Sequence, residues 1–260
     1  MIRSRVLILQ ATGTNRDGDT AAAVEMAGGR PVVRHINALR ANPAELHDYQ
    51  MLILPGGFSY GDALGAGRLW AADLRWLFEA ELARFVERGK PVLGICNGFQ
   101  ALVRSGWLPW PMADESSGLP GATLTRNESN RFECRWVWLA PDPVSPCVFT
   151  RGLDRSLFCP VAHGEGRFVT DAAGLARLSA GHQIALTYVT ADGGAAAYPD
   201  NPNGSISGIA GVCDPGGTIL GLMPHPENHI VPEQHPRWTR ERGASCLPLF
   251  EQGIRYASQL

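Results

Sequence analysis

The amino-acid sequence predicts an α/β fold: a doubly wound, mainly parallel β-sheet with helices on both faces and additional antiparallel strands at one edge. Two observations carry this prediction. In the first half of the chain, short apolar runs alternate with amphipathic segments, which is the order of a parallel sheet built from βαβ units. From about residue 120, the chain changes to short β-type runs broken by Gly, Pro, Asp and Asn turns, which favour flanking strands of the same sheet.

The first half of the chain predicts four strands joined by helical segments. We expect strands at 5–9, 31–36, 50–55 and 91–96, and helices at 19–28 and at about 70–88. In the longer helix, apolar residues recur at spacings of three and four, which gives one stripe to pack on the sheet: Leu74, Leu77, Phe78, Leu82 and Phe85. Gly89 ends this helix.

The second half predicts a different organisation. Strand-like runs occupy 134–140, 156–163, 183–189, 206–213 and 218–224, and the chain closes with a helix predicted at 247–257. The sequence contains no internal repeat and no low-complexity linker. We therefore predict a single domain over residues 1–260 with a C-terminal extension at about 228–260.

Composition argues against several classes of function. The 260 residues are 45% hydrophobic and 18% charged with a formal net charge of -2, which gives no electrostatic reason to bind nucleic acid or an acidic membrane surface. No apolar run approaches the roughly 18 residues of a membrane span, and the N-terminus lacks a signal-peptide pattern. We expect a cytoplasmic protein whose partner is a small molecule or another protein.

Cysteine and lysine usage narrows the chemistry further. The six cysteines form no C-x-x-C pair, so the sequence indicates neither a disulfide framework nor a metal site. We interpret the five cysteines other than Cys96 as packing residues. Lys90 is the only lysine, and its place after a helix predicts a surface charge. Because no phosphate-binding G-x-x-x-x-G-K-[ST] motif occurs, any ATP chemistry must take place elsewhere.

Cys96 has the surroundings of a nucleophile. It follows a predicted strand and precedes a predicted helix, and Gly94 and Gly98 supply the small neighbours that a tight strand-to-helix turn needs. Such a turn projects the side chain at the carboxyl edge of the sheet, where α/β proteins bind ligands. The alternative is that Cys96 is a small buried hydrophobic residue.

A base and its orienting group are predicted in "LMPHPE". His225 and Glu227 are two residues apart after the apolar run 218–223, so in an extended segment their side chains leave on the same side. The carboxylate can then fix the tautomer of the imidazole that faces Cys96. By itself, the His-Pro-Glu triplet is also compatible with a structural or surface role.

The stretch "ILPGGFSYGD", residues 53–62, offers a site for an oxyanion. It ends a predicted strand in two glycines, so a backbone N–H can approach Cys96 without an intervening side chain. We choose the N–H of Gly57, working with that of Asn97. The alternative is an ordinary glycine-rich turn between strand and helix.

Several long stretches resemble the class I (triad) glutamine amidotransferases. They are "PGGFSYGD", "GICNGFQ", "RNESNRFECRW", "PVAHGEGRF", "YPDNPNGSISGIAGVCDPGG" and "GLMPHPE". The triad pieces are typical of the whole superfamily, whereas "RNESNRFECRW" and "PVAHGEGRF" resemble one branch, the glutaminase subunits of phosphoribosylformylglycinamidine synthases. The resemblance spans nearly the whole chain and implies a flavodoxin-like fold.

The resemblance implies catalytic roles for five residues. Cys96 is the nucleophile, His225 is the acid/base and Glu227 orients His225. Gly57 and Asn97 are the oxyanion donors.

The resemblance also implies a binding site for glutamine. Gly56 belongs to it, and Gln100, one helical turn after the nucleophile, matches the position that holds the backbone end of glutamine. His163, Gly164 and Glu165 match a segment beside the bound substrate. The alternative for His163 and Glu165 is a hydrogen-bond pair that stabilises the loop.

The implied activity is hydrolysis of glutamine to glutamate and ammonia through a cysteine thioester. The ammonia passes to a separate synthetase subunit of de novo purine biosynthesis, in a complex with or without a small accessory subunit. That synthetase, and not this chain, is expected to bind ATP, Mg²⁺ and formylglycinamide ribonucleotide. We expect "NESNRFECRW" (127–136) and "HIVPEQHPRWTRER" (229–242) to contribute to the docking face, because both mix arginine with aromatic residues.

One position departs from the family pattern, and two other functions stay open. The first turn of the family has G-T-N-C-D, whereas this chain has "GTNRD" with Arg16 in the cysteine position. The first alternative function is a cysteine hydrolase of the related flavodoxin-like kind, which lacks the late His-Pro-Glu. The second is a non-catalytic regulatory or scaffold subunit, which a missing triad residue would favour.

Overall fold

The computed structural model describes residues 3–110, 121–241, 243 and 245–260. Within them, eleven strands are formed: β1 (Arg5–Gln10), β2 (Arg30–His35), β3 (Met51–Leu54), β4 (Val92–Ile95), β5 (Ala122–Thr125), β6 (Glu133–Pro141), β7 (Leu157–His163), β8 (Arg167–Thr170), β9 (Leu186–Val189), β10 (Ile209–Cys213) and β11 (Ile219–Leu222). The helices of the same residues are α1 (Asp17–Met26), α2 (Ile36–Ala41), α3 (Arg68–Leu77), α4 (Glu79–Glu87), α5 (Asn97–Arg104), α6 (Ala172–Ala180) and α7 (Leu247–Ala257).

The central sheet joins a parallel half to an antiparallel half. In the described chain its nine strands follow the order β2-β1-β3-β4-β11-β10-β9-β6-β7, and β5 pairs with β8 in a separate small sheet. The pairs from β2 to β11 are parallel, and the pairs from β11 to β7 are antiparallel. The predicted fold class is confirmed.

The core lies around the parallel strands, and the sequence of these strands explains why. All residues of β3, β4 and β11 are buried, so these strands consist of continuous apolar runs or glycine rather than alternating patterns. Helices cover them, and the carboxyl ends of β3 and β4 open toward the loops that carry the glycine-rich motifs. No helix of the described residues is both long and apolar enough to cross a membrane.

The prediction of one helix over about 70–88 is wrong. The segment forms α3 and α4, and Phe78 between them has φ -128° and ψ 3°, outside the helical region. Phe78 is buried, while Leu77 of the predicted stripe is 36% exposed. Burial of Phe78 in the core therefore outweighs the weak local preference for an uninterrupted helix.

The C-terminal residues contribute to the same core as the sheet. Helix α7 has the predicted bounds and packs on α1 and β3. Cys246, Leu249 and Phe250 are fully buried, so the predicted extension at 228–260 supplies core side chains. Residues 242 and 244 of that extension lie outside the described residues.

Two other sequence-based predictions are corrected. Lys90 is half-buried rather than a simple surface charge, because its ammonium donates hydrogen bonds to the carbonyls of His47 (2.8 Å) and Tyr49 (2.6 Å). Cys134 is exposed, so its interpretation as a packing residue is wrong, whereas the other four non-elbow cysteines are buried. The sequence-based prediction also lacked α2, β5, β8 and α6, which are short.

Candidate active site

Cys96 stands on a strained turn between β4 and α5. Its backbone has φ 49° and ψ -102°, a combination that costs free energy for a residue with a side chain and is typical of a nucleophile elbow. The flanking glycines are needed sterically. A Cβ on Gly98 would lie 2.0 Å from the carbonyl oxygen of Leu54, and one on Gly94 would lie 2.5 Å from the Leu102 side chain.

The thiol of Cys96 lies where the two halves of the sheet meet. The backbone N–H of Cys96 donates to the carbonyl of Leu222 (2.8 Å), and its Sγ lies 3.8 Å from the carbonyl oxygen of Ala162 in β7. Strand β7 is the outermost strand of the antiparallel half, five positions from β4 in the sheet. The sheet must therefore curve strongly to bring Ala162 of β7 next to Cys96. Cys96 is only 5% exposed, which restricts access of water to the thiol.

His225 and Glu227 form a buried pair next to Cys96. Nδ1 of His225 lies 2.6 Å from Oε1 of Glu227, and the side chains are 5% and 0% exposed. The local conformation differs from the predicted extended segment, because Pro226–Asn228 form a short 3₁₀ turn. The two side chains nevertheless meet, because the turn is tight enough to bring the carboxylate back to the ring.

Opposing effects act on the pKa of His225. Burial lowers it, but the charge of Glu227 and the charge and hydrogen bonding of Cys96 together raise the pKa of His225 well above its ordinary value. Because the carboxylate occupies Nδ1, the other nitrogen is left to exchange a proton with the thiol. The arrangement therefore favours a protonated imidazole beside the thiol group.

The glycine-rich loop after β3 packs directly on the histidine. A Cβ on Gly56 would lie 2.6 Å from Cε1 of His225, so a side chain at Gly56 has no room. Gly57 has φ 138°, and a Cβ there would lie 2.7 Å from the backbone nitrogen of Asn15. Gly57 also pairs with Thr14 in an isolated antiparallel bridge, which fixes the loop against the turn after β1.

Arg16 lies beside this loop. A Cβ on Gly56 would lie 3.6 Å from Cγ of Arg16, and the guanidinium of Arg16 pairs with Asp19 at 2.9 Å. The residue that departs from the family pattern is thus directed to an ion pair on α1.

A network of polar side chains surrounds the first turn of α5. Nδ2 of Asn97 donates to Oδ1 of Asp62 (3.2 Å) and to Oε1 of Gln100 (3.0 Å). Oδ1 of Asn97 accepts the backbone N–H of Ser59 (3.1 Å), which fixes the orientation of this amide. Nε2 of Gln100 donates to the backbone carbonyl of Glu165 (2.7 Å). Gln100 is therefore held between the glycine-rich loop and the loop after β7.

The two carboxyl groups of this network have different partners. Oε2 of Glu165 accepts the backbone N–H of Ala66 (3.3 Å) and the guanidinium of Arg104 (3.2 Å). Among the described residues, the carboxylate of Asp62 accepts a hydrogen bond only from the side-chain amide of Asn97. Burial and the negative charge of Glu165 raise the pKa of Asp62 to about 6, against the lowering effect of the Asn97 hydrogen bond.

His163 is buried with a fixed tautomer. Nδ2 of Asn127 donates to the carbonyls of Arg131 (2.9 Å) and His163 (2.7 Å), and its Oδ1 accepts the N–H of Gly166 (2.9 Å). The oxygen of this amide therefore faces Nδ1 of His163 (3.2 Å), so that nitrogen carries the proton. Burial, followed by the charge of His225, lowers the pKa of His163 to about 3, so its ring is neutral.

The structure thus brings the predicted site residues to one edge of the sheet. His163 and Glu165 do not bond to each other. His163 bonds to Asn127, and Glu165 bonds to Ala66 and Arg104. Gly164 follows β7, and its carbonyl accepts the N–H of Asn127 (2.9 Å), so this glycine helps to anchor the loop.

Three residues of this region are absent from the catalytic and glutamine-binding residues predicted from the sequence: Asp62, Arg104 and Asn127. Asp62 and Asn127 stand inside motifs that carry the family resemblance, so a signal for them existed. Arg104 stands at the end of α5 outside those motifs, and only the fold brings it to Glu165. Among the described residues, no group of three or more His, Cys, Asp or Glu side chains is placed to hold a metal ion.

Comparison with known proteins assigns the chain to a family. The model of the CobB/CobQ-like glutamine amidotransferase domain matches residues 3–257. Phosphoribosylformylglycinamidine synthase subunit PurQ of Treponema denticola is 48% identical, over 98% of this chain and 99% of that protein. The chain therefore belongs to the PurQ family of glutamine amidotransferases. The PurQ subunit of Dehalococcoides mccartyi is 44% identical over the whole of both chains.

A solved structure agrees with this assignment. A chain in the structure of PurLQS from Thermotoga maritima superposes with a TM-score of 0.75 at 31% identity, covering 98% of this chain and 99% of that chain. The similarity extends over the antiparallel strands and the C-terminal helix as well as the parallel half of the sheet.

Proposed function

We propose that the chain is the glutaminase subunit of a phosphoribosylformylglycinamidine synthase. Membership in the PurQ family supports the assignment. The observation that supports the catalytic role is the buried imidazole of His225. Its Nδ1 lies 2.6 Å from Glu227, and Cys96 contributes to raising its pKa. A scaffold subunit has no need for an ion pair of this kind beside a strained cysteine.

In the proposed reaction, the Cys96 thiolate attacks the side-chain amide carbon of glutamine and forms a carbon–sulfur bond. The backbone N–H groups of Gly57 and Asn97 stabilise the tetrahedral oxyanion. His225 then donates its proton to the departing nitrogen, the carbon–nitrogen bond breaks, and ammonia leaves. Water, deprotonated by His225, attacks the thioester, which releases glutamate and restores Cys96.

The remaining groups hold the substrate in this mechanism. Gly56 keeps the floor of the site free of a side chain, so His225 can approach Cys96 closely. Gln100 holds the backbone end of glutamine, and the loop 163–165 closes the site from the side of β7. The neutral ring of His163 avoids a second cation beside His225, which would weaken the ion pair with Cys96.

Ammonia is consumed on another chain in this proposal. The partner is the synthetase subunit, with or without a small accessory subunit as a third component, and we expect ATP and Mg²⁺ to bind the synthetase. The chain itself is expected to need no cofactor. We place the complex in the cytoplasm, in keeping with six cysteines that are all free thiols.

The proposed docking face combines residues 127–136 with the tail from 229. Trp136 of β6 contacts the rings of His229 and His235 at centroid distances of 5.4 and 6.0 Å, so the two segments adjoin. Trp238 is 43% exposed, and Phe132 is 54% exposed and stacked on Phe58. Residue 242 of the tail lies outside the described residues.

Two experiments test the proposal. Glutamate release from glutamine is measured with the chain alone and with its nucleotide-loaded synthetase, beside a Cys96→Ala variant. We expect release that requires Cys96 and increases with the partner; no release that depends on Cys96, even in the complex, contradicts the proposal. Replacing both Arg237 and Trp238 with Ala should weaken complex formation at unchanged thermal stability, and unchanged binding would reject the docking face.

A further inference from the structure

A cavity of about 530 Å³ opens beside the C-terminal end of α5, where Arg104 lines it. Asp62 and Glu165 line it, together with the arginines Arg68, Arg104 and Arg126. Both signs of charge therefore face the same space. A small zwitterion such as a free amino acid has the matching pair of charges, whereas a peptide-bound side chain does not.

Asp62 is the carboxyl group of this cavity that lacks a cationic partner. The guanidinium of Arg104 pairs with Glu165 at 3.2 Å, but no lysine or arginine of the described residues forms an ion pair with Asp62. The pKa of Asp62 is raised to about 6, mainly because it is half-buried and lies near Glu165. A cation bound next to Asp62 would relieve this unfavourable charge.

The backbone holds Asp62 in place for such a contact. Tyr60, Asp62 and Leu64 have φ angles of 55°, 54° and 64°, which are unusual for residues other than glycine. Left-handed conformations of this kind cost free energy and cluster at ligand sites, where the surrounding structure imposes them. The unfavourable backbone conformation of this loop therefore fixes Asp62 in its hydrogen bond to Asn97, next to Gln100.

A hydrogen-bond network connects Asp62 to the helical turn that follows Cys96. The α-carbon of glutamine lies three bonds from its side-chain amide carbon, or roughly 4 Å in an extended chain. Gln100 follows Cys96 by four residues, which corresponds to about 6 Å along the axis of a helix. A glutamine with its amide carbon at the thiol is thus of a length comparable to the step along α5 to Gln100, and Asn97 links Gln100 to Asp62.

We infer that Asp62 is a specificity-determining residue that binds the α-ammonium group of substrate glutamine, with Oε1 of Gln100 as a second acceptor. This inference rests on the proposed glutaminase function and assigns a recognition role beyond it. Asp62 then selects free glutamine over amides that lack an α-ammonium group. Glu165 is a positioning residue here, because its carboxylate already bonds to Ala66 and Arg104 and its carbonyl holds Gln100.

The test compares two ligands, glutamine and glutaramate, which is glutamine without its α-amino group. Binding of both is measured by calorimetry to the complex with the synthetase carrying Cys96→Ala, so that turnover does not interfere. Asp62→Asn is added in that background, because asparagine keeps the size of the side chain and an oxygen for Asn97. We expect Asp62→Asn to weaken glutamine binding by roughly 10- to 100-fold and to change glutaramate binding by less than about threefold.

A matched variant controls for the loss of one negative charge. Asp73 accepts a hydrogen bond from the hydroxyl of Tyr60 in the same loop region, outside the cavity. Asp73→Asn should leave the ratio of the two affinities unchanged. Equal effects of Asp62→Asn on both ligands, or no effect on either, would overturn the inference. Equal affinities of the Cys96→Ala complex with intact Asp62 for glutamine and glutaramate would also overturn it.

The proposed function and this inference fail in different ways. Steady-state kinetics of the complex with Cys96 intact test the function through glutamate release that depends on Cys96. If glutamate is released but Asp62→Asn leaves the KM for glutamine unchanged, the inference fails and the function stands. If no glutamate is released, the function fails, and the calorimetric ratio still decides whether Asp62 contacts the ammonium group.

Discussion

Replacing Gly56 with alanine should disable catalysis without unfolding the protein. The added Cβ would lie 2.6 Å from Cε1 of His225, whereas ordinary van der Waals contact begins at 3.4 Å. The ring must therefore retreat by about 0.8 Å, the difference between these two distances. It cannot do so freely, because Glu227 is completely buried and holds Nδ1 at 2.6 Å.

The size of the effect follows from this displacement. A shift of about 1 Å in a reacting group can cost roughly 100-fold in rate, so we expect the kcat for glutamate release to fall by about that factor. The backbone at Gly56 is not in the left-handed region, so alanine introduces no conformational strain there. We therefore expect the melting temperature of the variant to stay within a few degrees of the wild type.

The assay is glutamate release by the complex with synthetase, beside thermal unfolding of the same samples. Gly18→Ala is the matched control, because a Cβ at Gly18 in α1 meets no atom within 4 Å. The control should retain full activity. A Gly56→Ala enzyme with kcat within twofold of the wild type would refute the contact between this loop and His225.

Three further predictions concern stability and charge. Gly98→Ala places a Cβ 2.0 Å from the carbonyl oxygen of Leu54, so we expect urea unfolding to show a loss of about 3 kcal/mol. Glu227→Gln removes the main group that raises the pKa of His225, so NMR titration should show a lower pKa and kcat should fall at least about 100-fold. Because the pKa of Asp62 is raised in the folded state, ionisation destabilises the fold as pH rises from about 4 through about 6. The difference between about 6 and 3.8 corresponds to about 3 kcal/mol, which solvent screening of this half-exposed group reduces to roughly 1 kcal/mol. Asp62→Asn should therefore stabilise the protein by that amount at pH 7 and by almost nothing at pH 3 in urea titrations, because the carboxyl group is then protonated in both states; equal effects at both pH values would contradict this.

Local chemistry explains what could be predicted from the sequence about the site. The small neighbours of Cys96 are a steric requirement of the turn itself, so they are visible as G-x-C-x-G without a structure. His225 and Glu227 are neighbours in sequence, so their contact needs only a short segment. Even there, the sequence-based prediction gave the wrong conformation, because an extended segment and a 3₁₀ turn can both bring such a pair together.

Other features of the site depend on long-range contacts. Asp62 bonds to a residue 35 positions away, and Arg104 bonds to one 61 positions away. No periodicity or motif spacing specifies such pairs, because they are created by the packing of loops from β3, β4 and β7. The break at Phe78 has the same origin, since its burial in the core outweighs the local helical pattern.

The sequence alone determined the α/β class, the nucleophile turn and the histidine–glutamate pair, because strand order and tight turns follow from residues that are close in the chain. The tertiary structure decided how the sheet curves and brings Ala162 of its antiparallel half to Cys96. It also decided that Arg104 pairs with Glu165 and leaves the carboxylate of Asp62 without a cationic partner among the described residues. The physical reason is that burial and charge at a site depend on all segments that pack around it, and that packing is a property of the whole fold.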